Sequence, residues 1–200
     1  MRSRLVAILA FAALVAGGAM GCGGGDVEAA RERLERDVQE RVARAREEYE
    51  RRRERFGRRT IYVSQRFAAD LYEGVARGLP GEATGAGRAE GDFAVAYVLA
   101  HEYAHNLQQE LGIFDNRVTA TARPFELQAD CLAGTWANSV YAQGELQPGD
   151  LEEAANAALA VGDFDVGNAQ HHGTPEERRA ALLDGFRSGD PPTCLRYVPT

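Results

Sequence analysis

Lysine is absent from this chain of 200 residues; all 23 basic residues are arginine. Set against 30 carboxylates they leave a net charge of -7. That acidic balance excludes nucleic acid as the main partner, because a phosphate backbone needs a basic face, and it permits a basic substrate. Cysteine is scarce, and none of Cys22, Cys131 and Cys194 has the local spacing of a cysteine-based metal site. Strand signals are nearly missing: Thr60 to Ser64, TIYVS, is the one clear β-branched run. The composition therefore points to a mainly α (α+β) domain with a short strand or small sheet. Glycine is abundant, yet the glycine- and alanine-rich stretch from Gly81 to Gly91 lacks a phosphate-loop pattern and reads as a mobile rim loop. There is no internal repeat, and no boundary inside 60–200, so that span reads as one domain.

What is present is organised around Asp92 to Gly112, DFAVAYVLAHEYAHNLQQELG. Phe93, Ala96, Tyr97, Ala100, Ala104, Leu107 and Leu111 recur at helical spacing, Asp92 is placed to cap the helix, and Gly112 to end it. Inside it lies His101-Glu102-Tyr103-Ala104-His105, an H-E-x-x-H pattern. With about 3.6 residues per turn, histidines four apart share one face and can reach one metal ion. Glu102 sits beside them, placed to polarise a water. Phe125 to Tyr141, opened by Pro124, gives a second helix. Its Glu126 and Asp130 are also four apart. Two histidines and one carboxylate make a catalytic zinc site with its fourth position left for water, and a second carboxylate can fix a ligand's tautomer. Glu126 as ligand with Asp130 as orienter satisfies this chemistry, as does the reverse.

The N-terminus reads differently. Arg2 and Arg4 precede an apolar run, Leu5 to Met20, then Gly21-Cys22. This is an export signal over 1–21, and the cysteine behind it resembles a bacterial lipoprotein site, with 22–27 as lipidated cysteine and flexible tether. An ordinary cleaved signal and an uncleaved anchor are the other readings. With Cys22 acylated, Cys131 and Cys194 form an even pair in an oxidising compartment. They are either a disulfide pinning the C-terminal tail to the Glu126 helix or two unpaired thiols. Residues 28–59 form a charged helix with Leu34, Val38, Val42, Ala45, Tyr49 and Phe56 near a heptad seam, interrupted at Arg52. It docks on the domain, lifts the domain off the membrane as a spacer, or pairs weakly with a second copy. Arg51 to Arg55 can touch anionic lipid.

Further helix starts are legible. Ser64 caps a helix running to Pro80, with Phe67, Leu71, Val75 and Leu79 as its apolar edge. Asp150 and Glu153 have capping-box spacing, as do Thr174 and Glu177, the latter with Pro175 in the first turn. A polar loop with His171 and His172 separates these two helices.

Three blocks, FAVAYVLAHEYAHNLQQELGI, ELQADCLAGTWA and HHGTPEERRAALLDGFRSGDPPTC, together closely resemble the bacterial "putative neutral zinc metallopeptidase" family, from about Tyr62 to Cys194. The resemblance implies a zincin-like domain holding one zinc ion. In it His101, His105 and Glu126 are the ligands, Glu102 is the base, and Asp130 orients a ligand from behind. Cys131 and Cys194 have family equivalents. The chain departs from the family where an upstream cysteine-containing segment is replaced by the arginine–glutamate helix, and where Asn106 stands in place of a second histidine.

The expected activity is zinc-dependent peptide hydrolysis by an envelope-anchored metallopeptidase, with peptides or proteins of the envelope as substrates. His172 is the candidate to stabilise the oxyanion, and His171 a weaker one; Tyr97 and Tyr103 read as packing or rim. The alternative is a non-catalytic, zinc-stabilised envelope lipoprotein acting as scaffold or binding module, with His172 as a fourth ligand. Other zinc hydrolase chemistry is a third reading.

Overall fold

The computed structural model describes residues 60–116 and 119–198, together with scattered helical residues between 28 and 51. The chain divides into two compact units, 1–60 and 61–200. In the first, exposed i,i+4 pairs such as Arg31–Glu35 at 2.9 Å and Arg44–Glu40 at 3.5 Å decorate the helical residues. The export signal, Cys22 and the seam from Leu34 to Phe56 lie outside the described residues.

The second unit is helical, and no strand occurs among the described residues. Its elements are α1 (Gln65–Tyr72), α2 (Pro80–Ala83), α3 (Asp92–Glu110), α4 (Ile113–Asn116), α5 (Arg123–Ala142), α6 (Asp150–Val161) and α7 (Pro175–Ser188), followed by a 3₁₀ helix, Pro191–Tyr197. The strand expected at Thr60 to Ser64 is not formed. A lone β-branched run finds no second strand here to share a ladder, and the segment instead leads as irregular chain into α1. Ser64 caps α1 as expected, accepting from Phe67 N at 3.3 Å. That helix stops at Tyr72, well short of Pro80. Gly74 turns the chain at φ 64°, and Asp70 O takes the amides of Val75 and Ala76. Leu71 and Leu79 are buried while Phe67 and Val75 are exposed, so the expected apolar edge is split.

The stretch expected to be a loose rim, Gly81 to Gly91, is partly helical, and Gly81, Gly87 and Gly91 press against α6. A Cβ on Gly81 would meet Leu159 O at 2.0 Å. α3 packs on α5 and α6, and α5 packs most extensively on α7. The α5–α7 crossing is backbone to backbone: a Cβ on Gly134 would meet Leu182 O at 2.0 Å, and one on Gly185 would meet Cys131 O at 1.9 Å. Only glycine at both positions lets the helices come this close, and that closeness allows side chains one turn away to meet. The main core is correspondingly built from small residues, Ala94, Ala133, Ala137, Ala154, Ala157 and Ala158, around Leu71, Tyr97 and Leu182. A second cluster joins Leu127, Ala181 and the Cys131–Cys194 disulfide, which ties the 3₁₀ tail to α5.

Two expected caps are placed otherwise. Asp92 is the first residue of α3 and Gly91 its N-cap, with no side-chain cap of its own. The orphan amide of Phe93 is taken by Glu153 Oε2 of α6 at 3.0 Å. Glu153 is therefore not closing a capping box on its own helix. Gly149 is the N-cap there, and Asp150 accepts from Gln147 N. At α7 the expected box is complete, with Thr174 and Glu177 bonded reciprocally and Pro175 in the first turn.

Candidate metal centre

The α3–α5 contact brings together His101, His105 and Glu126, whose ligand atoms all lie within 4.8 Å of one another. The two Nε2 atoms are 3.0 Å apart. Glu126 Oε2 is 3.2 Å from His101 Nε2, and its Oε1 is 3.5 Å from His105 Nε2. Helical spacing accounts for each half: the histidines stand one turn apart on α3, and Pro124 starts α5 close enough for Glu126 to face them.

The tautomers follow from what lies behind the rings. His101 Nδ1 is 2.8 Å from Asp130 Oδ1, and a carboxylate only accepts, so Nδ1 carries the proton. His105 Nδ1 is 2.8 Å from Gln108 Oε1. The Gln108 amide is oriented by its Nε2, which donates to Phe125 O at 2.8 Å and Gln128 Oε1 at 2.9 Å, so its oxygen must accept from His105. Both Nε2 lone pairs then point at each other and at a carboxylate. Four acceptor atoms converge with no donor among them, which is a donor set that calls for a cation. Two nitrogens bound at about 2.0–2.1 Å to a tetrahedral zinc would sit roughly 3.3 Å apart, close to the separation observed. The residues present fit the ion.

In the metal-free protein a proton answers the same demand, so that an Nε2 can donate to Glu126. Burial lowers the His101 pKa, but the Asp130 charge and hydrogen bond, with Glu126 adding, outweigh it and push the ring up to about 9. Burial works against the Glu126 charge, and hydrogen bonds from His101 and His105 overcome this to hold it well below the usual carboxylate range. Asp130, fully buried, is likewise driven up by burial and brought down further by Arg178 and then His101. Tyr97 donates to Asp130 Oδ1 at 2.6 Å, and its buried hydroxyl is pushed well above its ordinary pKa by desolvation.

Glu102 is exposed on α3. Position 102 lies three residues before His105, hence on an adjoining part of the ligand face. Tyr103 is 57% exposed and belongs to the rim. Tyr97 is buried and fully engaged in the hydrogen bond to Asp130. The loop after α6 is held against the start of α5 by Ala122 N donating to Ala169 O at 3.0 Å. In it, His171 is buried with Nδ1 2.6 Å from Asp163 Oδ1. His172 has a side chain 45% exposed, and its backbone amide donates to Asp163 Oδ2. His172 does not join the group of three ligand atoms.

Two members of the site, Gln108 and Arg178, escape the sequence reading, as does Asp163, which holds the loop of His171 and His172. Gln108 had a signal, since it stands three residues after His105 on the same face. Arg178 had a weaker one: Ala181, Leu182 and Gly185 follow at i+3, i+4 and i+7, which places 178 on the buried stripe of α7. Asp163 lies in irregular chain, where spacing carries no information.

A family model described as "Putative neutral zinc metallopeptidase" matches residues 84–197. The "Uncharacterized protein YpfJ" of Escherichia coli (strain K12) is 37% identical over 158 residues, covering 69% of this chain and 51% of YpfJ. The "Uncharacterized protein Rv2575" of Mycobacterium tuberculosis is 32% identical over 133 residues, covering 54% of this chain and 45% of its own length. The chain thus spans about half the length of the curated relatives it matches. No solved structure matches it.

Proposed function

Since the chain belongs to the "Putative neutral zinc metallopeptidase" family, we propose that it hydrolyses peptide bonds at the His101–His105–Glu126 centre. The observation that carries this reading is the convergence of two bare Nε2 lone pairs and one carboxylate, each imidazole fixed from behind. Zinc, when bound, supplies Lewis acidity and lowers the pKa of its water to about 7. His101 and His105 would hold it through Nε2, and Glu126 through its carboxylate. Asp130 and Gln108 keep each Nδ1 protonated, so the lone pairs stay directed inward. Glu102 takes a proton from the attacking water and hands it to the leaving amine. His172, the more exposed imidazole of the loop, is the candidate to donate to the developing oxyanion.

The arrangement favours an open catalytic centre over a closed structural one, because structural zinc is usually held by four protein ligands and three converge here. That weighs against the scaffold reading. The N-terminal signal and Cys22 support an exported, lipid-anchored protein in the bacterial cell membrane. Its domain would face outward and act on peptides or proteins of the envelope, and the 28–59 helix would serve as spacer or weak dimer contact.

The test compares the full chain with Glu102→Gln, each loaded with one equivalent of zinc, on a broad library of quenched fluorescent peptides. Both should bind zinc equally, and the variant should lose about 10²–10⁴-fold or more in cleavage rate. Equal cleavage by the two would remove Glu102 from the mechanism. Cleavage by neither, with His172 found on the metal by spectroscopy, would establish the scaffold instead.

A further inference from the structure

We infer that Arg178 is a positioning residue of the metal centre: its guanidinium holds the carboxylates of Glu126 and Asp130 in register for the ion. The inference rests on the metal reading above and goes beyond it, since it concerns a residue that touches neither the ion nor a substrate.

α5 presents two carboxylates one turn apart, both toward His101, with side-chain exposures of 14% and 0%. Like charges on adjoining turns of one helix, this dry, repel. Arg178 comes from the first turn of α7 with its side chain 5% exposed. It gives Asp130 two hydrogen bonds, Nε to Oδ2 at 2.8 Å and Nη2 to Oδ1 at 3.0 Å, a planar fork meeting a planar acceptor. The same Nη2 lies 3.7 Å from Glu126 Oε2 and 3.4 Å from His101 Nε2. One nitrogen therefore adjoins the ligand carboxylate, the ligand imidazole and the acceptor behind that imidazole. Among the described residues no other arginine reaches either carboxylate.

Two features put it there. The Gly134–Gly185 crossing brings α7 against α5, and the Thr174–Glu177 capping box fixes where α7 begins. A lysine at 178 would carry the charge but could not fill the fork, because an ammonium is a point donor on a flexible stem. If geometry is what Arg178 supplies, charge alone will not replace it.

The experiment uses the full chain, stripped and titrated with Co²⁺ and with Zn²⁺ against a chromophoric chelator. Each protein's visible cobalt spectrum and far-ultraviolet circular dichroism are recorded with and without metal. The variants are Arg178→Lys, and Arg178→Gln combined with Asp130→Asn, which removes both charges together and leaves an amide pair. The expected result is that each variant retaining the wild-type helical signal binds metal about 10–100-fold more weakly and shows displaced cobalt absorption bands. Variants that fold only when loaded with metal support the same role, because the guanidinium then holds the ligand set in the ion's absence. A folded variant with the wild-type spectrum and affinity overturns the inference. So does failure of both variants to fold in either state, which would make Arg178 a folding residue. If the wild type binds no metal, the hydrolase reading falls and this one with it; if the wild type binds and the variants match it, only this one falls.

Discussion

Gln108 illustrates how much of this centre is decided by single side chains that touch no ligand atom of the ion. Fully buried, it accepts from His105 and donates to Phe125 O and Gln128 Oε1. Gln108→Leu keeps the volume and removes all three bonds. It leaves two buried acceptors unpaired, a cost of about 1–3 kcal/mol each at most, and frees the His105 ring to rotate or change tautomer. Chemical denaturation should show the stability loss, and zinc titration a drop of about 10–100-fold in affinity; unchanged affinity would mean that α3 alone orients the ring. At this scale the sequence was partly legible. The pairings of His101 with His105 and of Glu126 with Asp130 could be read off because helical spacing converts directly into a shared face, while which of the two carboxylates meets the Nε2 atoms and which stands behind His101 could not. Gln108 and Arg178 were not assigned roles, because the groups that orient the Gln108 amide, Phe125 O and Gln128, and the carboxylates that meet Arg178 lie on another helix, and an arginine in a charged stretch reads first as solvated surface.

The helix termini divide in the same way. Thr174 and Glu177 close their box within four residues, and sequence suffices to see it. Glu153 has the same spacing from Asp150 but reaches across to α3, which offers an uncapped amide behind Gly91; a local rule had no means of seeing that competitor. Glu177 also bridges α7 to the first residue of α5, pairing with Arg123 through both carboxylate oxygens. Arg123's hydrogen bonds, opposed by burial and helped by the Thr174 amide, bring its pKa from about 4.5 to about 2. A depressed carboxylate stabilises the folded state above its unfolded pKa, so this contribution is whole above pH ~4.5 and disappears as pH falls through about 2. Melts in chelator, which remove metal loss as a variable, should show Glu177→Gln below wild type by a constant margin from pH 7 to 5. That margin should close between about pH 4.5 and 2. A margin that persists at pH 2 would place the effect in packing and not in charge.

Across the whole unit, the disulfide connects positions 63 residues apart and anchors the tail next to Asp130. Closing a loop of that length removes unfolded-state entropy equivalent to about 4 kcal/mol. Reduction, or the pair Cys131→Ala and Cys194→Ala, should therefore lower the melting temperature by on the order of 10 °C, with zinc affinity falling less, since no ligand belongs to the tail. A larger loss of zinc than of stability would show that the tail itself props up α5. The mainly helical character of the fold was legible because long periodic runs dominate the chain. The strand was not, since TIYVS has the composition of a strand and lacks a neighbour. The cap from α6, the acceptor from α5 and the guanidinium from α7 share one implication. The segment from Asp92 to Glu110 is not a portable cassette. Grafted onto another bundle it would carry the two histidines, the glutamate and Gln108, and leave behind its starting point, the acceptor that sets the His101 tautomer, the groups that orient Gln108, and its counter-charge. Moving this chemistry to a new scaffold means moving four helices and the angle between two glycines.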